Sequence, residues 1–452
     1  MLDFSLSYPL LKPPEMSLKY LIAILFLGYM SCFAQQTPFQ TEKILAVDQD
    51  RLEASIFELA KFGMKANGET SRVAFTDADI ASRTFIISLM KNAGLEVHID
   101  FAGNIIGRRK GNDGTKKIIA FGSHTDTVPD GGNYDGCVGS LAALEVALTL
   151  SENNIVTDHP LEVIIFSNEE GGLLGSRALA GALSPEALLV KNSSGFTQGE
   201  GANRLGGDVS KIGQSARKKE ELAAFLELHI EQGGILDGEN INIGVVEGIV
   251  GIKWWDVEIT GFANHAGTTP MNMRKDALLA ASKFIIAVNE VTNSFEGKQV
   301  GTVGRISAAP GAPNVIPGKV LLSLEIRDLS SDKIAQVFSG IKQRALAIAE
   351  ESNTAIEFHP IDANAKPALT DRTIQEAIAA SANSLGLSHK QMQSGAGHDA
   401  QDMALVAPAG MIFVPSKDGI SHSPKEFTSA EDMANGANVL LHTILKLDRE
   451  LD

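Results

Sequence analysis

Lys117-Ile118-Ile119-Ala120-Phe121-Gly122-Ser123-His124-Thr125-Asp126 decides how this chain is read. Its first half is a short apolar run of the kind that a strand buried on both faces requires, and it opens into a His-x-Asp segment. A second run, Leu161 to Ser167 with Val163-Ile164-Ile165-Phe166 at its centre, delivers Glu169-Glu170 in the same way. Between them, residues 139–150 spell an Ala/Leu-rich helix. This rhythm predicts a parallel or mixed sheet with helices on both faces. Ligands of such sheets gather at the carboxyl ends of the strands, which is where His124, Asp135 and Glu169-Glu170 fall.

Outward from that centre, residues 48–65 and 77–93 have helical apolar spacing, and Gly199 to Gly213 reads as a Gly-rich loop. Between about 249 and 362 the pattern changes. Strands are expected at Ile252–Thr260, Val300–Ile306, Lys319–Arg327 and Thr354–His359, with helices at 274–292 and 331–350. That is an α+β unit inserted into a larger domain. Helix and strand alternation resumes after Pro367, through 372–385 and Gly410–Val414 to a helix at 429–448. The expected organisation is α/β, with one domain built from 35–248 and 363–452 and a second from 249–362.

A chain of 452 residues exceeds what one core supports, and 44% hydrophobic with 21% charged residues is ordinary for a globular protein. A formal net charge of −16 without a Lys/Arg cluster excludes nucleic acid as the expected partner. The start reads as an address. Met16 and Lys19 precede the apolar run Leu21–Gly28, and Ser31-Cys32-Phe33-Ala34 offers small residues for a cut before Gln35. Residues 1–34 are thus an expected signal peptide, with Met16 as an alternative start, no stable membrane span after processing, and a periplasmic or secreted destination. An uncleaved anchor is the alternative; a lipoprotein at Cys32 fits poorly with Tyr29-Met30-Ser31 before it. Cys137 would then be the sole cysteine, a small buried packing residue whose thiol could still scavenge metal or oxidise.

Each candidate site residue has a plain reading beside a chemical one. His124 and Asp126 share a face in a strand, so an imidazole there can bind metal while the carboxylate fixes its tautomer; alone, the pair describes a structural hydrogen bond. Asp135 follows Gly131-Gly132 at a helix start and is either an N-cap or a carboxylate bridging two metal ions about 3.5–4 Å apart. Glu169 and Glu170 repel each other unless a cation or proton divides their roles, so one can ligate while the other takes a proton. His229 lies in the alternating Leu226-Glu227-Leu228-His229-Ile230, and His422 in the turn Ser421-His422-Ser423-Pro424. Together these make five ligands, three per metal if Asp135 bridges, a mixture that suits zinc and accepts manganese, cobalt or nickel.

The segments Gly122–Val128, Asn133-Tyr134-Asp135-Gly136, Asn168-Glu169-Glu170-Gly171, Leu228-His229-Ile230-Glu231-Gln232-Gly233 and Gly261–Met271, in that order over about residues 45–448, resemble the M20 metallopeptidase superfamily. More narrowly they are similar to its amidase, hydantoinase and carbamoylase branch, with N-carbamoyl-L-amino acid hydrolases, β-ureidopropionases and allantoate amidohydrolases. His229 carries the branch, since the superfamily's peptidases supply an acidic ligand there. The resemblance implies a zinc-exopeptidase-like catalytic domain holding two Zn2+ per subunit, one on His124 and His229, the other on Glu170 and His422, with Asp135 on both. Glu169 would be the general base for water attacking a ureido carbonyl, and Asp126 its support. Residues 249–362 would be a lid and homodimerisation domain whose His265 reaches the neighbouring subunit's site. Asn314 and Arg327 would hold the substrate carboxylate, against an ion pair of Arg327 with Asp328, while Gln232 and the backbone at Ala396 contact substrate and His398 supports. A small ureido or carbamoyl acid is the implied substrate, although export departs from the cytosolic setting of typical members. A secreted M20 aminopeptidase or dipeptidase is the alternative, and a binding protein that retains the fold is a third reading, disfavoured by the presence of Glu169 beside all five ligands.

Overall fold

The structure, a computed structural model, describes residues 9–12, 44–66 and 68–451. The expected signal peptide and its cleavage site lie outside the described residues, apart from 9–12. Among the described residues, all strands and helices belong to the compact unit that begins at Ala46.

Strands β1 (Glu96–Ile99), β2 (Ile105–Arg109), β3 (Ile118–His124), β4 (Leu161–Phe166), β5 (Leu222–Ile230) and β6 (Ile243–Ile249) belong to the main sheet, along with β14 (Ala368–Leu369), β15 (His389–Ser394) and β16 (Ala409–Val414). The order is β1-β2-β4-β3-β5-β16-β6-β14, with β15 also on β6. The sheet is mixed, as expected, and its centre β4-β3-β5-β16 is parallel throughout. Every residue of β3, β4 and β16 is buried, which is why these strands read as mostly apolar runs rather than alternations, with the buried Glu162 of β4 accepting from Arg217 at 2.8 Å. Ile118, Ala120, Ile164, Phe166, Phe225 and Phe413 pack with Ala400 and Met403 of the short Asp399–Met403 helix. The Cys137–Glu152 and Ala430–Glu450 helices pack against each other and the sheet. Among the described residues no helix is long and apolar enough to cross a membrane.

A second sheet has the order β10-β12-β7-β13, with β9 also on β12. Its strands are β7 (Gly251–Thr260), β9 (Val300–Thr302), β10 (Ile306–Ala309), β12 (Lys319–Asp328) and β13 (Ala355–Ala365), and β8 (Asn264–His265) pairs separately with β11 (Val315–Ile316). The Ala277–Ser294 and Ser331–Ser352 helices bury a core of their own against it, where Trp255 stacks on Phe338 with centroids 4.1 Å apart.

Two expectations need correcting. Val300–Ile306 is not one strand: β9 pairs with Glu325–Arg327 and β10 with Lys319–Leu322, and the chain leaves the ladder over 303–305, at Gly304. The segment Gly199–Gly213 is not a simple loop. Thr197 and Glu200 form a reciprocal capping box that starts the Gln198–Arg204 helix, and a 3-10 helix follows at Val209–Ser215. Gly201 serves packing there, because a Cβ would meet the buried Phe75 ring at 2.4 Å.

Candidate metal centre and substrate cleft

The four parallel strands supply the site. β3 ends in His124, β4 leads into Glu169-Glu170, β5 carries His229 next to its end, and β16 leads into the loop of His422. Asp135 comes from the turn before the Cys137–Glu152 helix. It is not the N-cap: that position is Gly136, at φ +63°, where a Cβ would meet the His124 ring at 2.3 Å.

The ring nitrogens are set by backbone acceptors. His124 Nδ1 donates to the Asp126 carbonyl at 3.0 Å and His229 Nδ1 to the Ile230 carbonyl at 2.9 Å, so in the neutral ring the lone pair is on Nε2; that of His229 accepts the Gly136 N–H at 3.1 Å. His124 Nε2 lies 3.6 Å and His229 Nε2 3.2 Å from Asp135 Oδ1. The other oxygen, Oδ2, faces His422 Nε2 at 3.4 Å, and that nitrogen is also 3.4 Å from Glu170 Oε1. Two groups with ligand atoms mutually within 4.8 Å result, His124–Asp135–His229 and Asp135–Glu170–His422. A third, Glu227–His229–His398, shares His229.

The donor set fits divalent metal. His124 Nε2 and Glu170 Oε1 are buried without a hydrogen-bond partner among the described residues, which is costly unless a cation meets them. Burial works to raise the Asp135 carboxyl, but His229, with His124 and His422, outweighs it when these rings are protonated and holds the group well below the usual carboxylate range. Burial pushes Glu169 well above that range; His124 opposes this, while Glu170, Asp399 and Asp126 add to it. Glu170 is raised to about 7, by burial first and then by the Asp135 charge. Such crowding of carboxylates is what cations relieve.

The role expected of the Asp126 carboxylate is corrected. Its Oδ1 is 3.8 Å from His124 Nδ1, and the residue's carbonyl takes that proton instead because the strand has ended and the chain turns. The carboxylate accepts the Glu169 and Glu170 N–H groups, both at 3.2 Å, and so fixes the turn that presents them.

Gln232, at φ +56°, donates to Asp135 Oδ2 at 2.6 Å and lines, with Gly395 and Ala396, a cavity of about 630 Å³. The second sheet's residues stand differently. His265 is exposed, its Nδ1 accepting the Gly267 and Thr268 N–H groups, and Asn314 lies beside it, its carbonyl accepting the Ala266 N–H. These bonds are local to the second sheet and its turns. Arg327 does not pair with Asp328. The pleat puts Glu325 on its face, and Nε and Nη2 bond that carboxylate at 2.8 and 3.0 Å while Nη1 reaches the Gly395 carbonyl at 2.6 Å.

Further buried groups surround the cluster. His398, expected in a supporting place, packs edge-on against His229 with centroids 4.4 Å apart and shares a 2.8 Å hydrogen bond with Ser394 Oγ. Glu227 and Glu426 are among the carboxylates that escaped the sequence reading. Glu227 accepts from Ser123 Oγ and the Ala400 N–H, both at 2.8 Å. Alternation along β5 places Glu227 on the face of His229, a signal that was available. Glu426 accepts from Tyr134, Asp135, Ser421 and His422, and nothing in its sequence context announces this.

Strand-end histidines and carboxylates around a shared aspartate, on a mixed sheet flanked by helices, define a metal-dependent hydrolase class. The model of peptidase family M20/M25/M40 matches residues 120–446, and the chain belongs to that family, in its amidase, hydantoinase and carbamoylase branch. It is 40% identical over 406 residues to an N-carbamoyl-L-amino acid amidohydrolase of Geobacillus stearothermophilus, covering 89% of this chain and 99% of the relative. To a ureidoglycolate hydrolase of Arabidopsis thaliana it is 38% identical over 415 residues, 89% of this chain and 87% of the relative. A solved amidase of the hydantoinase/carbamoylase family from Burkholderia multivorans superposes with a TM-score of 0.83 at 38% identity, covering 89% of this chain and 98% of that one.

Proposed function

We propose that the protein is an exported zinc-dependent amidohydrolase that cleaves linear C–N bonds in N-carbamoyl amino acids or related ureido acids such as allantoate. The observation that carries this reading is the division of Asp135: Oδ1 faces His124 and His229, Oδ2 faces His422, and Glu169-Glu170 stand beside it. His124, His229 and Asp135 would hold one Zn2+, and Asp135, Glu170 and His422 the second; manganese, cobalt or nickel could replace zinc. When bound, the ions would polarise the scissile carbonyl and lower the pKa of water. Glu169, buried 3.7 Å from His124 Nε2, takes the proton of the attacking water and returns it to the leaving nitrogen. Ammonia, carbon dioxide and an amine are the products of a carbamoyl substrate.

Gln232 and the Ala396 backbone orient the ureido end, and Arg327 with Asn314 takes the substrate carboxylate, for which a planar guanidinium is suited. His265 would complete the site from a second copy, making the lid of residues 249–362 a homodimer interface and His265 an oxyanion donor in trans. The similarity to carbamoylases and ureidoglycolate hydrolase supports the substrate class. Ammonia release should be followed with N-carbamoyl-L-amino acids, N-carbamoyl-β-alanine and allantoate, and amine release with dipeptides. Ammonia from at least one carbamoyl or ureido acid is expected; amine from dipeptides alone would make the protein a peptidase.

A further inference from the structure

Asp135 and His422 arrive from distant parts of the chain, and one buried carboxylate joins them. Glu426, 5% exposed, accepts the N–H groups of Tyr134 and Asp135 on Oε1 at 2.9 and 3.0 Å. Its Oε2 accepts Ser421 Oγ at 2.9 Å and the His422 N–H at 3.2 Å. Ser421 Oγ also lies 2.9 Å from Asp135 Oδ2, the oxygen turned toward His422. A single hydroxyl proton serves one of the two carboxylates at a time, so Ser421 links Glu426 to the ligand side chain as well as to its backbone. The room is built in from the opposite wall, where a Cβ on Gly132 would meet Glu426 Oε1 at 2.3 Å.

We propose that Glu426 is the positioning residue of the second cation site, Asp135 Oδ2–Glu170–His422, and that this site is held together from behind by its carboxylate. The inference rests on the two-ion reading of the site. Asp135 is common to both sites, so the selectivity lies in the other contacts: Glu426 bonds the His422 N–H and, through Ser421 Oγ, reaches the Oδ2 side of Asp135, while His124 and His229 are fixed by carbonyls of their own segments. Partners of this kind typically change metal affinity 10–100-fold when replaced.

The test is the metal content of the full protein after equilibrium dialysis against graded free zinc, for wild type, Glu426→Gln, Glu426→Asp and His422→Ala. Glutamine keeps the volume but sets an NH2 donor against N–H donors, so Glu426→Gln should weaken one of the two zinc equivalents about 10–100-fold. It should leave the other unchanged, and the weakened equivalent should be the one His422→Ala removes. Glu426→Asp, which keeps the charge on a shorter arm, should fall between wild type and glutamine and carries the comparison if Glu426→Gln does not fold. Two equivalents of unaltered affinity in Glu426→Gln, or equal weakening of both with a lower melting temperature of the metal-free protein, would overturn the proposal. A wild type that binds only one equivalent would instead show that the two-ion reading itself is wrong.

Discussion

His124 at the end of β3 and His265 at the end of β8 are both strand-end histidines, yet their surroundings differ in kind. His124 is fully buried, fixed through Nδ1 by a carbonyl, and confronted by two carboxylates. His265 is exposed, and its ring accepts the Gly267 and Thr268 N–H groups of the local turn. The metal-facing half of the cleft is held by strands buried on both faces. The half on the second sheet offers side chains that need another element to engage them. Arg327 stands between, already occupied by Glu325 and by Gly395, in the loop after β15 of the main sheet.

This contrast can be broken from either side. Glu169→Gln should lower kcat by about 10²–10⁴-fold with bound metal unchanged, because it removes the proton acceptor and leaves the ligands. If metal is lost as well, Glu169 belongs to the ligand set and the division of labour with Glu170 fails. His265→Ala should lower kcat by about 10²-fold. Mixed with Glu169→Gln under conditions of subunit exchange, it should recover about a quarter of wild-type activity, since half the dimers then carry one complete site. No recovery on mixing would place His265 in its own subunit's site or outside the chemistry.

Arg327→Ala should raise KM by about 10–100-fold for substrates with a free carboxylate, the worth of a charge-assisted bidentate contact. A carboxamide analogue should feel little change, and an equal effect on both would demote Arg327 to a structural link between the sheets. The smallest effect concerns Asp79, buried behind the site and raised to about 6, chiefly by burial against the opposing charge of Arg83. A carboxyl whose pKa is higher in the folded chain binds a proton more readily there. Stability is therefore lost as pH rises from about 4 to 6, by no more than about 1.4 kcal/mol per pH unit. Asp79→Asn should flatten that part of the profile, read as melting temperature against pH; an unchanged slope would assign it to other groups.

The same contrast explains what the sequence could say. β3, β4 and β16 are mostly apolar because both faces are buried, and the ligands follow each run, so most of the metal-facing set was legible. Among the main-sheet strands that were missed, Glu96-Val97-His98-Ile99 is mostly exposed, β2 is short and ends in Gly107-Arg108-Arg109, β6 contains two glycines, His389–Ser394 is polar in composition, and β14 has only two residues. The helix after Thr197 was hidden by its glycines although the capping box was present in the letters. Glu426 was beyond reach for a different reason: a sequence does not disclose which distant backbone N–H groups a carboxylate will accept. Nor does it disclose that Asp126 turns its carbonyl to His124 and its carboxylate to the next turn.

The most direct test is ammonia release from an N-carbamoyl-L-amino acid while metal-free protein is titrated with zinc, with dipeptide cleavage followed in parallel. Activity rising to a plateau at two equivalents per chain, with dipeptides untouched, is the predicted result. Full turnover without metal, or a zinc-loaded protein that releases amine from dipeptides and ammonia from no carbamoyl or ureido acid, would contradict it.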